Sequence, residues 1–353
     1  MKNFQNHVPI IQAPMAGGIT TPELVAAVSN TGAIGSFGFA YSSAGKIDSD
    51  LCEVRKLTDK SINANFFVFT EMDVPPDKDC KIAIEILEGL PLKAVIPGSS
   101  LSAPFFLSLE HQLEPIWKHK PEMLTFHFGL PPKHILQKAQ SLGMSVGITA
   151  TSLEEAEAIQ NHGADFVVAQ GVEAGGHRGT FSADDKGDKK LSTFELLKVL
   201  KGECLLPIVC AGGIMSGEDI VTHLSEGAAA VQMGTSFLCC NEAGTNPIHK
   251  KYILEERARE TVYTKGFSGR WAQSIQNEFT SLMENEYVLP FPMQYTLSSS
   301  LRKHAVKTGN GEYQSLWAGT EFKKARALPA AKLISELMSE MGSYKRKQGD
   351  KTK

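Results

Sequence analysis

The residues of this chain that could do chemistry stand beside glycines. Pro207–Ile214 reads PIVCAGGI and Val231–Thr235 reads VQMGT. Gly212 and Gly213 let the backbone approach a ligand closely. Their amides, with those of Gly234 and Thr235 after Gln232 and Met233, can cradle a dianionic phosphate. The plainer alternative is that these glycines only make tight strand-to-helix turns. The lysine pattern of a triphosphate-binding loop is absent, which disfavours a nucleoside triphosphate.

A second constellation is Gln170–Gly179, QGVEAGGHRG. Gln170 can hydrogen-bond a planar heterocycle, and Gly175 and Gly176 allow close approach to a ring edge. His177 sits on what reads as a flexible glycine hinge. Its expected work is proton abstraction, or binding of an anionic substrate as imidazolium; a surface or satisfied core histidine is the alternative. Arg178 is either a phosphate ligand or a solvated charge. Ala13, Pro14 and Met15 open the turn APMAGG, which suits a ring lying flat over it, or is an ordinary turn. Asn65 in NANFFVF puts an amide into an apolar run, where it needs a partner from a ligand or a neighbouring strand. His127 in TFHFG is a substrate contact or a hydrogen-bonded core residue. A phosphate cradle, ring-edge amides and a flanking histidine together point to flavin mononucleotide (FMN). No HExxH, paired-histidine helix or GxSxG elbow is present, so neither a metal nor a serine nucleophile is expected.

These groups need strands that end beside one another. Eight apolar, β-branched runs end in Gly, Asn, His or Gln and alternate with helix-like segments. They are Val8–Ala13, Ala33–Phe37, Ile62–Phe69, Met123–Phe128, Ser145–Thr149, Asp165–Gln170, Pro207–Ala211 and Ala229–Met233. Thr21 and Pro22 start a helix over Pro22–Ser29. Ser152 with Glu155 reads as a capping box for Leu153–Asn161, and another helix is expected near Ser216–Glu226. The pattern predicts an α/β fold, a (β/α)8 TIM barrel with the site on the loops after the strands. A doubly wound open sheet would carry GxGxxG after its first strand, and APMAGG lacks that spacing.

The chain has 353 residues. A barrel takes about 250, so residues 1–250 are assigned to it, with an insertion at 70–120. Residues 251–343 are expected to form a mainly helical lid, and 344–353 a frayed, disordered tail. A net charge of -3 argues against a strongly basic nucleic-acid binder. There is no signal peptide pattern and no apolar run long enough for a membrane span. The six cysteines show no metal-finger spacing and read as free thiols of a cytoplasmic protein.

Together these motifs resemble the nitronate monooxygenase family, formerly called 2-nitropropane dioxygenases. The similarity runs from about Pro9 to Arg302. QAPMAGGITTPELVAAVSNTGAIGS, the HFG segment, QGVEAGGHRG, AGGI and QMGTSFL stand in the family's order and spacing. FMN-dependent enoyl-acyl-carrier-protein reductases share the first and the GGH motifs, whereas HFGLPP and PFPMQ look like the nitronate monooxygenase branch. The resemblance implies that Asn65, Gln170, Gly175, Gly213 and Gln232–Thr235 bind FMN, that His177 is catalytic, and that His127 lines the substrate pocket. Near Pro290–Arg302 tyrosines are expected, yet Phe291 precedes Pro292 and Tyr295 follows Gln294. The implied activity is oxidative denitrification of alkyl nitronates, with neutral nitroalkanes an open extension, to carbonyl compounds and nitrite. The implied partners are the nitronate and O2, with a homodimer left open. An FMN-dependent NAD(P)H enoyl-acyl-carrier-protein reductase is the alternative.

Overall fold

The computed structural model describes residues 7–69, 73–92, 101, 105–182, 187–256 and 258–351. All eight apolar runs form strands, with ends shifted by no more than two residues. They are β1 (Ile10–Gln12), β2 (Gly35–Gly38), β3 (Ile62–Phe67), β4 (Met123–His127), β5 (Ser145–Ala150), β6 (Phe166–Gln170), β8 (Ile208–Ala211) and β9 (Ala230–Met233). A two-residue strand, β7 (Gly176–His177), stands apart and is described below. The eight pair in parallel in the order β1-β9-β8-β6-β5-β4-β3-β2. A parallel bridge between Ile11 and Ile34 closes β1 onto β2, with Gln12 N–H donating to the Ile34 carbonyl at 2.9 Å. The sheet is a TIM barrel, which brings all the strand C-termini to one rim.

Local chemistry explains the helices around it. Thr21 Oγ1 accepts from Leu24 N–H at 3.0 Å and starts α1 (Pro22–Ser29). Next come α2 (Ala44–Leu57), α3 (Asp77–Gly89), α4 (Leu109–His119), α5 (Lys133–Ser141), α6 (Leu153–His162), α7 (Thr193–Glu203) and α8 (Gly217–Glu226). Ser152 caps α6 by accepting from Glu155 N–H at 3.2 Å, but Glu155 does not complete the expected box. Its carboxylate instead accepts from Thr151 N–H and Oγ1–H and from Phe181 N–H, tying α6 to the loop after β6. Complete boxes occur at Ser192/Glu195 and Ser216/Asp219.

The remaining segments divide differently from the sequence reading. The stretch 70–120 contains two helices with separate jobs. α4 packs on α2 and β3 as part of the barrel's outer ring. α3 instead joins a second apolar cluster, where Ala83 and Leu87 meet Phe267, Phe279, Leu289, Met293 and Leu301. That cluster is the core under α10 (Glu278–Leu282), α11 (Met293–Leu297) and α12 (Ser299–Lys307) of a cap that also contains α9 (Pro247–Leu254), β10 (Thr261–Thr264) and β11 (Ala272–Ile275), where Ile253 and Ile275 join a neighbouring cluster with Leu316 and Phe322. α13 (Ala330–Lys351) leaves the cap and packs back on α8 and α1. It runs through residues 344–351, where a frayed tail was expected. No described helix is long and apolar enough to cross a membrane, and the six cysteines form no disulfide.

Candidate active site

A cavity of about 470 Å³ opens at the C-terminal rim, between the barrel and the cap. Every candidate residue except Arg178 lines it. The end of β1 brings Ala13, Pro14 and Met15, β3 brings Asn65, and β4 brings His127. β6 brings Gln170, and the loop after it Gly175, Gly176 and His177. Gly212 and Gly213 follow β8, and Gln232, Met233, Gly234 and Thr235 end β9.

One end of the cavity offers backbone donors. Gly212 and Gly213 adopt φ of 124° and 69°, a region that favours glycine. The amides of Gly213 and Gly234 meet no protein acceptor among the described residues. Thr235 Oγ1 accepts from Gly319 N–H at 3.0 Å, which leaves its own proton to donate. Neither nearby carboxylate is loose: Glu173 accepts from Thr193 N–H and Oγ1–H, both at 2.9 Å, and Glu321 pairs with Lys324 at 2.8 Å.

His177 lines the same cavity. The glycine hinge expected around it is a strand: β7 pairs antiparallel with β11, His177 opposite Ala272 and Gly176 opposite Gln273, and β11 pairs with β10. His177 Nε2 lies 3.0 Å from Ser268 Oγ. The Ser268 hydroxyl donates to the Arg270 carbonyl at 3.1 Å, so its oxygen accepts from His177 Nε2–H. That assigns the Nε2–H tautomer and leaves Nδ1 as the acceptor. Burial, then the positive charge of Arg270, then His127 and Arg302, pull the imidazole from 6.5 down to about 3. The ring is therefore neutral at pH 7, which keeps the proton-acceptor expectation and removes the imidazolium one.

His127 is half-buried, as is His177, and is likewise held at about 3, by desolvation first and Arg270 second. Its Nε2 points at the His177 carbonyl at 3.4 Å. Gln170 donates to the same carbonyl at 3.0 Å and accepts from Gly179 N–H at 2.7 Å. Much of the Gln170 amide thus holds the histidine loop in place, leaving one N–H for a ligand. Asn65 donates to Thr125 Oγ1 at 3.0 Å, and its Oδ1 has no donor among the described residues. Arg178 is neither a phosphate ligand nor solvated. It is 2% exposed, forms a two-point ion pair with Asp188 at 2.8 and 2.9 Å, and donates to the Gln170 carbonyl.

Sequence reasoning missed the wall facing His177. Phe67, Phe128 and Phe291 surround its ring at centroid distances of 5.3–6.2 Å. Trp317 approaches at 5.5 Å. Tyr41 stacks on Tyr295 at 4.8 Å, and Arg302 lies over the Tyr295 ring at 3.9 Å. Phe67 was within reach: it follows Asn65 by two, so both face the same side of β3. Away from the cavity, Asp48, Cys52 and His119 place three metal-ligating atoms within 4.8 Å of one another, with Lys118 Nζ 2.8 Å from the same Asp48 oxygen.

The cavity suits a flavin nucleotide by its donor set. Glycine amides and a threonine hydroxyl are free to donate to a phosphate, while Asn65 Oδ1 and a Gln170 N–H can meet the polar edge of a heterocycle. Met15 and Met233 provide a soft floor beside it.

The chain is similar to known proteins over nearly its whole length. A family model described as nitronate monooxygenase matches residues 1–340. A nitronate monooxygenase of Paraburkholderia phytofirmans is 38% identical over 342 residues, covering 94% of this chain and 92% of that protein. One from Pseudomonas aeruginosa is also 38% identical, covering 94% and 96%. Among solved structures, nitroalkane oxidase from Streptomyces ansochromogenes superposes with a TM-score of 0.87 at 33% identity, covering 97% of each chain. FabK from Thermotoga maritima superposes at 0.74 with 25% identity, covering 98% and 96%. The motifs, the barrel and these matches converge: the chain is an oxidoreductase belonging to the nitronate monooxygenase family.

Proposed function

We propose that this enzyme oxidatively denitrifies alkyl nitronates, using FMN and O2, to carbonyl compounds and nitrite. The observation that carries the reading is the meeting of the glycine amide cradle, Asn65 and His177 in one cavity of a nitronate monooxygenase family chain. When bound, FMN supplies the electron-accepting chemistry that the side chains lack. Gly212, Gly213, Gly234 and Thr235 hold its phosphate, and Ala13, Pro14, Met15, Asn65, Gln170, Gly175, Gly176, Gln232 and Met233 line its ring and ribityl chain.

His177 and His127 stand over the substrate. A ring held near 3 is a weak proton acceptor, which favours a nitronate that arrives already ionised. His177 Nδ1 can take a proton from a neutral nitroalkane, slowly, with Ser268 holding the ring orientation. The aromatic wall keeps water from the reacting centre.

The visible spectrum of the purified protein, followed by nitrite release from ethyl nitronate in air, tests the reading. A flavin spectrum and stoichiometric nitrite are expected. A colourless protein, or no nitrite, would sink it. Rapid bleaching on anaerobic mixing with NADH or NADPH would instead favour the enoyl-thioester reductase.

A further inference from the structure

An anionic substrate needs a positive partner, and the three histidines that line the cavity, His127, His177 and His249, are all held well below neutrality. Among the described residues that line the cavity, Arg302 is the only arginine or lysine. Its Nε donates to Ser298 Oγ at 3.1 Å and its Nη2 to the Tyr295 carbonyl at 2.7 Å. Nη1 has no acceptor, and the guanidinium pairs with no carboxylate, among the described residues. The two cavity carboxylates are committed elsewhere, Glu173 to Thr193 and Glu321 to Lys324.

The support of the group is rigid. Arg302 lies over Tyr295 at 3.9 Å, and Tyr295 stacks on Tyr41 at 4.8 Å. Tyr41 packs on Phe67 at 5.7 Å, and Phe67 meets His177 at 6.2 Å. Two of the guanidinium's edges are fixed by helix groups, which leaves Nη1 to meet a ligand. Arg302 is half-buried at the cavity wall and has no carboxylate partner among the described residues, and a planar oxyanion is a ligand that supplies the missing counter-charge. Nitronate is planar, with its negative charge spread over two oxygens, and matches a planar donor better than a point charge.

We propose that Arg302 is the anion-recognition residue of this enzyme. It receives the charged oxygens of the substrate from the cap side and so selects nitronates over neutral nitroalkanes. The proposal rests on the nitronate reading above, and Arg302 takes the role expected of a charged His177. Because Arg302 sits on α12, seven residues after Tyr295, the cap supplies the specificity and the barrel the cofactor cradle.

Inorganic nitrate, a planar and unreactive oxyanion, is the probe. The holoenzyme should bind nitrate in a calorimetric titration, and Arg302→Gln should weaken that binding by about tenfold or more. KM for ethyl nitronate should rise by a similar factor, with kcat held within about threefold and flavin absorbance unchanged. Equal nitrate binding in Arg302→Gln would overturn the proposal. So would release of flavin from the variant, which would mean that the charge serves the cofactor phosphate. If Arg302→Gln does not fold, phenylglyoxal labelling of the wild-type enzyme, mapped by peptide mass, decides. Nitrate should protect Arg302, and unprotected labelling would overturn the assignment. Nitrate binding that depends on Arg302 in an enzyme releasing no nitrite would uphold the anion site and reject only the proposed reaction.

Discussion

The His177 ring is neutral, by burial first and by the charge of Arg270 second, and its tautomer is set by Ser268 of the cap. His177→Ala should retain flavin and lose turnover of neutral nitroalkanes more than of nitronates, as steady-state nitrite assays on the two substrates would show. Ser268→Ala removes the acceptor of Nε2–H. We expect kcat for nitroalkane to fall by about tenfold with little change in melting temperature, since the serine's remaining contacts are to nearby backbone. An unchanged rate would mean that the tautomer is held by something else. Three desolvated histidines also set an acid limit. His127 and His177 are held at about 3 and His249 at about 4, in each case by burial first. In the unfolded chain they return to about 6.5. Between those values the unfolded state binds more protons, so stability falls as pH drops from 6.5 toward 4. The loss is about 1.4 kcal/mol per pH unit for each histidine. Melting curves from pH 7 to 4.5 should show this slope, and His249→Gln should flatten it. The charge state of His177 was not legible in QGVEAGGHRG, because Arg270 and Arg302 act on it from far along the chain. That His177 and His127 belong together was legible, because each ends a strand or opens the loop after one.

At the scale of elements, the loop after β6 is braced on several sides. β11 pairs with it, Tyr263 Oη donates to the Val172 carbonyl at 2.7 Å, and Thr320 N–H donates to the Glu173 carbonyl at 3.1 Å. Gly175 is where the brace comes closest: a Cβ there would lie 2.5 Å from the Ala318 carbonyl carbon. Arg178 and Asp188 pin the same loop from within, at 2% and 4% side-chain exposure. Arg178→Met leaves Asp188 buried without its partner, and we expect a loss of about 3–5 kcal/mol in a urea melt. A change below about 1 kcal/mol would show that Asp188 can reach water. The barrel strands were legible because strands buried on both faces are continuous apolar runs. β7, β10 and β11 were not, because GH, TVYT and AQSI are short and partly polar and exist only through one another. α4 was hidden by Pro115, which the helix carries inside its span.

Across the whole molecule, two apolar cores are stitched by one chain that leaves the barrel, builds the cap and returns. α13 makes the return, with Leu333, Ile334, Leu337 and Met341 buried in the barrel's core. Gly217 is the point of closest approach, where an added Cβ would lie 2.4 Å from Glu340 Cβ. Gly217→Val should therefore overpack the α8–α13 contact and cost about 1–3 kcal/mol, read as a lower urea midpoint. An unaltered midpoint would mean that α13 can shift without loss.

The packing of α13 on α1 has a consequence for biosynthesis. α13 follows every strand of the barrel in the chain, so α1 waits for its cover until the barrel and the cap have been made. Until α13 has emerged, Leu24, Val25 and Val28 lack part of their cover, so the nascent chain offers an apolar stripe to chaperones. A chain interrupted before α13 is then a sticky intermediate rather than a slightly shortened catalyst.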